Sequence, residues 1–106
     1  MAYLEINNVS IKGIAACVPA HTEENAGLPV FREGEDRRVI AQTTVERKRT
    51  VLPGTTVTDL FAQAFHKLVD ALGWEKESID AIVVVTNSFE YPIPPTACVL
   101  QGVLDL

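Results

Sequence analysis

Two cysteines and two histidines are the side chains in this sequence whose chemistry suits a nucleophile or a metal ligand. Cys98 falls within the first turn of a predicted helix, where the helix dipole stabilises a thiolate. No His or Asn precedes it in a recognisable catalytic arrangement, and its neighbours Ala97 and Val99 favour packing, so we predict that Cys98 is a small buried hydrophobe. Cys17 lies inside a predicted strand and is a weaker candidate still.

The histidines also lack the partners that catalysis or metal binding needs. His21 lies in a predicted loop and His66 on the polar side of a predicted helix, and neither has a second ligand at metal spacing. The sequence contains no glycine-rich phosphate loop, paired-acid motif or Walker signature. We therefore predict two ordinary surface histidines, no catalytic residue, no metal site and no cofactor.

Positive charge is concentrated in one short stretch of an otherwise acidic chain. The net charge is −5, yet six of the nine Lys and Arg residues fall within residues 32–49, a segment whose own net charge is +2. We name these six residues the cationic cluster: Arg32, Arg37, Arg38, Arg47, Lys48 and Arg49. The cluster is either a solvated face that pairs with its own carboxylates or an electrostatic funnel for an anionic ligand or partner, and both interpretations stay open.

Length and composition restrict the function classes. At 106 residues, with 47% hydrophobic and 22% charged residues, the chain is one small domain or a piece of a larger one, folded around a core. Its negative charge argues against general nucleic-acid binding. Met1 to Asn8 lacks a secretory signal, no segment has the roughly 20 apolar residues that cross a bilayer, and two distant cysteines make no disulfide scaffold. We expect a cytoplasmic protein that binds neither nucleic acid nor membrane.

Two helices are predicted to position whatever site the chain carries. Apolar residues recur from Thr58 to Leu72 at steps that make a continuous stripe, so one face of this helix must be buried. Thr56, followed three residues later by Asp59, resembles a capping box, and Gly73 is a natural helix end. A second helix is predicted from Thr96 to Leu104, with proline at its start.

Two strands are predicted beside these helices. Val9 to Val18 is rich in β-branched residues and ends at Pro19, whereas residues 19–35 have the composition of a long loop. Ala81 to Thr86 is apolar without alternation, which indicates a strand covered on both faces, as in a parallel sheet between helix layers. Two strands cannot complete such a sheet, so we infer an incomplete α/β domain that associates or exchanges elements when isolated.

Several segments resemble the N-terminal half of β-ketoacyl-[acyl-carrier-protein] synthase III, a condensing enzyme of the thiolase superfamily. Residues 78–88 are similar to a family strand that ends in a Thr-rich turn, and residues 91–101 to the proline, small residues, Cys and Gln that follow it. Residues 103–106 match the family's Leu-Gly-Leu/Ile step. Residues 13–19 and 43–48 resemble, more thinly, the opening strand and a Thr-Gly-Ile turn.

The resemblance implies a thiolase-like α/β/α/β/α domain with a mixed, mostly parallel sheet, of which residues 1–106 are the N-terminal fragment. It implies decarboxylative condensation in fatty-acid or polyketide-like synthesis. An acyl group moves from coenzyme A or acyl-carrier protein to a cysteine, and malonyl-carrier protein then adds two carbons. The family's nucleophilic Cys, and its His and Asn, come later in the chain, whereas Cys98 matches a different, buried cysteine. We therefore expect the chain alone to be inactive and to form a homodimer or higher assembly.

Site residues follow from the resemblance position by position. Asn87 matches a position that lines the acyl pocket, and Ile93 matches a bulky residue that reaches across a dimer interface into the partner's pocket, with plain loop packing as the alternative for both. Arg38 and Gln42 stand where the family commonly has a Trp and an Arg that hold the nucleotide of coenzyme A. A guanidinium group stacks on a base and pairs with phosphate, so we expect Arg38, with Arg37 nearby, to bind that part of the substrate.

Departures from the family pattern leave two function classes open. Besides the changes at Arg38 and Gln42, Thr44 replaces a turn glycine, which favours a divergent enzyme that takes acyl groups from a carrier protein rather than from coenzyme A. The first class is a fragment of such an acyltransferase. The second is a non-catalytic, thiolase-like partner that pairs with an active synthase and supplies Ile93 and the cationic cluster. A downstream Cys, His and Asn at family spacing would distinguish the first class from the second.

Overall fold

The computed structural model of the chain describes Tyr3 and residues 5–106. Its elements are, in chain order, β1 (Thr22–Glu24), α1 (Glu35–Thr43), β2 (Arg47–Arg49), α2 (Val57–Leu72), a short 3-10 turn (Lys76–Ser78) and α3 (Thr96–Leu104). β1 and β2 form a two-stranded antiparallel sheet. Met1, Ala2 and Leu4, part of the segment predicted to lack a secretory signal, lie outside the described residues.

The ends of α2 are fixed by local hydrogen bonds, as the sequence predicts. The Asp59 N–H donates to the Thr56 hydroxyl at 3.2 Å, and the Thr56 N–H donates to the Asp59 carboxylate at 2.8 Å, so the capping box is complete. At the other end Gly73 adopts the left-handed conformation with a φ of 63°, and its N–H donates to the carbonyl groups of Asp70 and Val69. The predicted helix is confirmed and begins one residue earlier than expected.

We expect the Thr56→Ala variant to lower the free energy of unfolding by about 1 kcal/mol, the usual cost of losing an N-terminal cap. Urea unfolding followed by circular dichroism measures this change. The hydrogen bonds from the Thr56 N–H and hydroxyl lower the pKa of Asp59. The stabilisation from its carboxylate is therefore present above the pKa of the unfolded chain and is lost as the pH falls through the lowered pKa. The stability difference between the unmodified chain and Asp59→Asn should accordingly shrink in acid.

The matched control is Thr55→Ala, because Thr55 precedes the cap and its hydroxyl makes no hydrogen bond among the described residues. Equal losses of stability in Thr55→Ala and Thr56→Ala would show that the capping box does not stabilise α2. A stability difference for Asp59→Asn that stays constant between neutral and acidic pH would rule out the carboxylate as its source.

The core lies between α2 and α3. Its buried apolar side chains are Ala62 from α2 and Leu100 and Leu104 from α3. Thr96 is buried on the same side of α3, and because Thr96, Leu100 and Leu104 are four residues apart, one face of α3 packs on α2. Half-buried apolar side chains surround this core: Phe61, Phe65, Ile82, Val84 and Leu106.

The segment before β1, which we name the opening segment, covers another part of α2. A Cβ atom built on Gly13 would lie 2.8 Å from Cδ1 of Leu68 and 3.3 Å from Cδ2 of Leu72, so the backbone of this segment runs directly against the helix. The Cys17 thiol donates to Oε1 of Gln63 at 3.4 Å, one further contact along the same line. α2 is therefore packed by α3 and also by the opening segment, which fits its long apolar stripe.

The two predicted strands are wrong as members of a hydrogen-bonded sheet. Within the described part of the chain neither residues 9–18 nor residues 81–86 pair with another strand, and the sheet that exists is antiparallel rather than mostly parallel. Exposure alternates along residues 81–86, with Val83 and Val85 87% and 89% exposed while the side chains between them pack on the core. The expected cover on both faces is absent because α2 and α3 lie on one side only.

The dimensions of the chain agree with this open packing. The radius of gyration is 18.5 Å, compared with about 13 Å for a compact domain of this length. Large apolar side chains such as Ile11, Ile14 and Val18 are mostly exposed. None of the helices in residues 5–106 is both long and apolar enough to cross a bilayer.

Candidate functional site

Residues 81–86, which we name the extended segment, are joined to α3 by a loop of residues 87–95. This loop borders an apolar cleft of about 390 Å³. Pockets that hold small ligands have volumes of roughly 300–1,000 Å³, so the cleft has the size of a ligand site. We name it the loop cleft, and its lining residues are Val84, Thr86, Phe89, Tyr91, Pro92, Pro95, Thr96 and Ala97.

Neither Asn87 nor Ile93 lines the loop cleft. The Thr86 hydroxyl accepts from the Ser88 N–H at 3.0 Å and donates to the Ser88 carbonyl at 3.1 Å, which fixes a tight turn with Asn87 at its tip. Ile93 is 85% exposed and precedes a cis peptide bond to Pro94. Both predicted residues therefore lie on the loop that forms the cleft, although neither lines it.

Sequence reasoning missed the aromatic residues of this loop. Phe89 and Tyr91 line the cleft, and each remains more than half exposed. The available signal was the presence of two aromatic side chains in one short proline-rich loop, because aromatic side chains commonly line ligand pockets. Glu90, which stands between them, was missed as well.

Glu90 connects the loop to the start of α2. Its Oε1 accepts from the Thr58 N–H at 3.1 Å. The pKa of Glu90 is lowered by the nearby hydroxyl groups of Thr58 and Thr56 and then by the Thr58 N–H, while burial and the charge of Asp59 oppose this shift. Thr58 is only 3% exposed, and its hydroxyl has no hydrogen bond of standard geometry among the described residues although it lies close to this carboxylate.

Arg37, Arg38 and Gln42 lie together on α1, away from the loop cleft. Arg38 and Gln42 are one helical turn apart and both exposed, so they share one side of the helix. α1 buries none of its residues, and the closely packed pairs of elements in the described chain are β1 with β2 and α2 with α3. The structure thus keeps the predicted nucleotide-binding residues together on α1, and none of them lines the loop cleft.

A second cleft of about 510 Å³ lies beside the first turn of α1, with Arg32, Asp36 and Arg37 among its lining residues. The Asp36 carboxylate accepts from the Gly27 N–H at 3.0 Å. That hydrogen bond is the main reason for the lowered pKa of Asp36, and the N–H and charge of Arg37 add to it. Asp36 therefore closes the loop before α1 and neutralises part of the charge of Arg37.

Half of the cationic cluster serves the β1–β2 sheet. Lys48 lies opposite Glu23 with a distance of 3.3 Å between Nζ and Oε2, and Arg47 lies opposite Glu24 with 4.0 Å between Nε and Oε1. The Arg49 guanidinium donates to the Ala20 carbonyl at 2.9 Å. These three cations are thus paired within the chain, although their partners are two glutamates of β1 and a backbone carbonyl rather than carboxylates of the segment 32–49 itself. The three arginines on or just before α1 are the ones left for an anionic ligand.

Thr44, at the position of the family's turn glycine, ends α1 in the left-handed conformation with a φ of 57°. Its N–H donates to the Ile40 carbonyl at 2.8 Å, which closes the helix. A β-branched residue rarely adopts this conformation, so the backbone keeps the shape that glycine favours although the side chain opposes it.

The cysteines and histidines do not form a reactive set. Cys98 is exposed, so the prediction that it is buried is wrong, because α3 turns its other face to α2. Cys17 is half-buried, and its thiol is hydrogen-bonded to the side chain of Gln63. His21 and His66 are exposed, as predicted. Among the residues that the structure describes, no group of three or more His, Cys, Asp or Glu side chains could hold a metal ion.

Comparison with known proteins identifies relatives along nearly the whole chain, although no family model matches it. β-Ketoacyl-[acyl-carrier-protein] synthase III 1 of Vibrio cholerae is 30% identical over 96 residues, which are 91% of this chain and 30% of that protein. β-Ketoacyl-[acyl-carrier-protein] synthase III of Pseudoalteromonas atlantica is 29% identical over 99 residues, which are 93% of this chain and 31% of that protein. The chain therefore spans less than a third of the length of these curated relatives.

A solved structure extends the similarity to the fold. The 3-oxoacyl-(acyl-carrier protein) synthase of Burkholderia xenovorans LB400 superposes with a TM-score of 0.75 and 37% sequence identity, covering 88% of this chain and 28% of that chain. This agrees with the thiolase-like α/β fold that the motifs implied. In sequence and in fold the chain is thus a homologue of part of a β-ketoacyl-[acyl-carrier-protein] synthase III-like condensing enzyme.

Proposed function

We propose that the chain is the N-terminal part of a synthase III-type acyltransferase, which joins an acyl thioester to malonyl-carrier protein by decarboxylative condensation. The observation that carries this proposal is the similarity to the Burkholderia 3-oxoacyl-(acyl-carrier protein) synthase, at 37% identity and a TM-score of 0.75 over 88% of this chain. The pathway is fatty-acid or polyketide-like synthesis.

The loop cleft is the place where the acyl chain would lie. Its walls are mostly apolar and aromatic, which suits an alkyl group, and it lies at the carboxyl end of the extended segment, where α/β folds commonly bind ligands. Asn87 and Ile93 lie on the same loop and would set the limits of the acyl site, and the exposed Ile93 would be free to enter the site of a second copy.

The arginines of α1 would hold the anionic end of the acyl donor. Arg38 is exposed, and it forms no ion pair within the described residues. Its planar guanidinium can pair with a phosphate and stack on a base, while Gln42 on the same side of α1 can hydrogen-bond the same group. Coenzyme A and the phosphopantetheine arm of acyl-carrier protein both present a phosphate, so either donor fits this chemistry.

The residues described here would not catalyse the reaction by themselves. Cys98 is exposed beside a pocket of about 290 Å³, but no histidine or carboxylate hydrogen-bonds its thiol among the described residues. A thiol without a neighbouring base is a weak nucleophile toward a thioester. The acyl-accepting cysteine is therefore expected in another part of the complete protein.

Intact-mass spectrometry after incubation with short acyl thioesters tests this proposal. The complete protein should gain the mass of one acyl group with a coenzyme A or carrier-protein donor, whereas the 106-residue chain should gain none. Cys98→Ser is the matched control and should leave acylation of the complete protein unchanged. A complete protein that has Cys, His and Asn at family spacing yet gains no acyl group would end the proposal, and labelled acyl on Cys98 would overturn the assignment of the nucleophile.

A non-catalytic partner role is the second candidate, and the exposed Val83, Val85 and Ile93 favour it because they offer an apolar surface for another subunit. In that case the complete protein would lack the Cys, His and Asn set, would not be acylated, and would bind an active synthase. The same acylation experiment therefore separates the two candidates.

A further inference from the structure

The middle of the 87–95 loop is fastened to a helix 32 residues away in sequence. The first N–H groups of any α-helix lack partners within the helix and need acceptors from elsewhere. In α2 the capping box satisfies the Asp59 N–H, and the carboxylate of Glu90 accepts from the Thr58 N–H. Glu90 thus completes the cap of α2 with a group that the local sequence around the helix does not supply.

The two neighbours of Glu90 face the other way. Phe89 and Tyr91 line the loop cleft, while Glu90 reaches the start of α2. The chain bends at Glu90, so a hydrogen bond that fixes the Glu90 side chain also restrains the backbone of the residues directly before and after it. The bond to Thr58 therefore holds both aromatic rings against the cleft.

The attachment point is rigid, and its electrostatics favour a carboxylate. Thr58 is 3% exposed, so its backbone is held by the packing around the start of α2. The N-terminus of a helix carries partial positive charge, which attracts an anionic side chain. The negative charge of Asp59 opposes ionisation of the Glu90 carboxyl group at this end of α2.

We propose that Glu90 is a positioning residue: by binding the Thr58 N–H it sets the shape of the loop cleft and thereby the acyl chain that the cleft accepts. The inference rests on the proposed function, because it assigns the cleft to the acyl group. Glu90 itself touches no reacting atom in this assignment. It acts through Phe89 and Tyr91.

The first test concerns the attachment and uses the 106-residue chain. In Glu90→Ala we expect amide hydrogen exchange of residues 87–95 to become about tenfold faster, because a charge-assisted hydrogen bond is lost. Glu77→Ala is the matched control, since Glu77 is exposed and makes no hydrogen bond to the loop. The amide NMR signal of Thr58 should also titrate with the Glu90 carboxylate, and Glu90→Gln should remove that step while leaving the step from Asp59.

The second test concerns specificity and uses the complete protein. Glu90→Ala should raise KM for the preferred acyl donor about tenfold and broaden the range of chain lengths accepted, with a smaller change in kcat, since a loosened cleft binds the acyl chain less well. Glu90→Asp should restore part of the selectivity, whereas Glu77→Ala should behave as the unmodified protein.

The outcomes separate this inference from the proposed function. Unchanged exchange of residues 87–95 in Glu90→Ala would overturn the positioning role even if the complete protein transfers acyl groups. Faster exchange together with unaltered chain-length selectivity would also overturn it, because the loop would then not shape the acyl site. A complete protein without acyl transfer but with faster exchange would refute the proposed function and would leave Glu90 only as an anchor of the loop.

Discussion

Replacing Leu100 with Ala is expected to lower the free energy of unfolding of the chain by about 2–5 kcal/mol, the usual cost of such a change in a packed core. Leu100 is 5% exposed and belongs to the small set of buried side chains between α2 and α3. Because so few side chains are buried, no neighbouring side chain can fill the cavity. The contacts that hold the two helices together are therefore lost. Urea unfolding followed by circular dichroism measures the effect.

The matched control for this prediction lies on the same helix. Val103 is 55% exposed and lies outside the core, so Val103→Ala removes apolar atoms from α3 without opening a cavity. It should change the free energy of unfolding by less than about 0.5 kcal/mol. If Leu100→Ala unfolds at the same urea concentration as the unmodified chain, the packing of α3 on α2 contributes nothing to stability.

Replacing Gly13 with Val is expected to cost about 1–3 kcal/mol through overpacking. A Cβ atom at this position would already lie 2.8 Å from Cδ1 of Leu68, and the two further methyl groups of valine need space that Leu72 also occupies. Either these leucine side chains or the opening segment must then shift. The same unfolding experiment gives the loss, and faster amide exchange of residues 11–18 would show where it arises.

Gly102→Ala is the contrasting substitution. It lies within α3, and a Cβ atom there meets no other atom within 4 Å. Because glycine inside a helix is less favourable than alanine by roughly 0.5–1 kcal/mol, this variant should be more stable than the unmodified chain. Opposite signs for the two glycines are the expected pattern. A stability gain in Gly13→Val would mean that the opening segment does not pack on α2.

The two apolar helices, α2 and α3, could be predicted because their signals are local. The Thr56 and Asp59 capping box, the apolar stripe and Gly73 all lie within or beside α2, and Pro95 precedes α3 in the same way. α1 was not predicted, because it buries no residue and so has no apolar stripe to reveal it. Helices that rest on charged residues alone carry a weaker sequence pattern.

The strand predictions were wrong for a different physical reason. A β-strand needs a hydrogen-bonding partner, and β propensity cannot say whether that partner is present. Residues 81–86 have the composition of a buried strand but no partner in the described chain, whereas β1 and β2 pair although they are short and charged. Opposite charges at facing positions, Glu23 with Lys48 and Glu24 with Arg47, were the signal for that pairing.

For the candidate site, the sequence motifs indicated residues on the 87–95 loop but not the side chains that form its cleft. Asn87 and Ile93 were chosen by position within the resemblance, and they lie on this loop without lining the cleft. Phe89 and Tyr91 were missed because the resemblance did not single them out, and the hydrogen bond between Glu90 and Thr58 was missed as well. That bond joins residues far apart in sequence, which a local pattern does not reveal.

Val83 and Val85 project away from both helices, so polar replacements there would hardly affect the folding of this chain. Mutations that replace these valines would then accumulate without loss of stability. If related organisms keep β-branched side chains at the two positions, natural selection must act through a surface that lies beyond these residues. The apolar sequence of the extended segment would in that case serve contacts within an assembly rather than the folding of this chain.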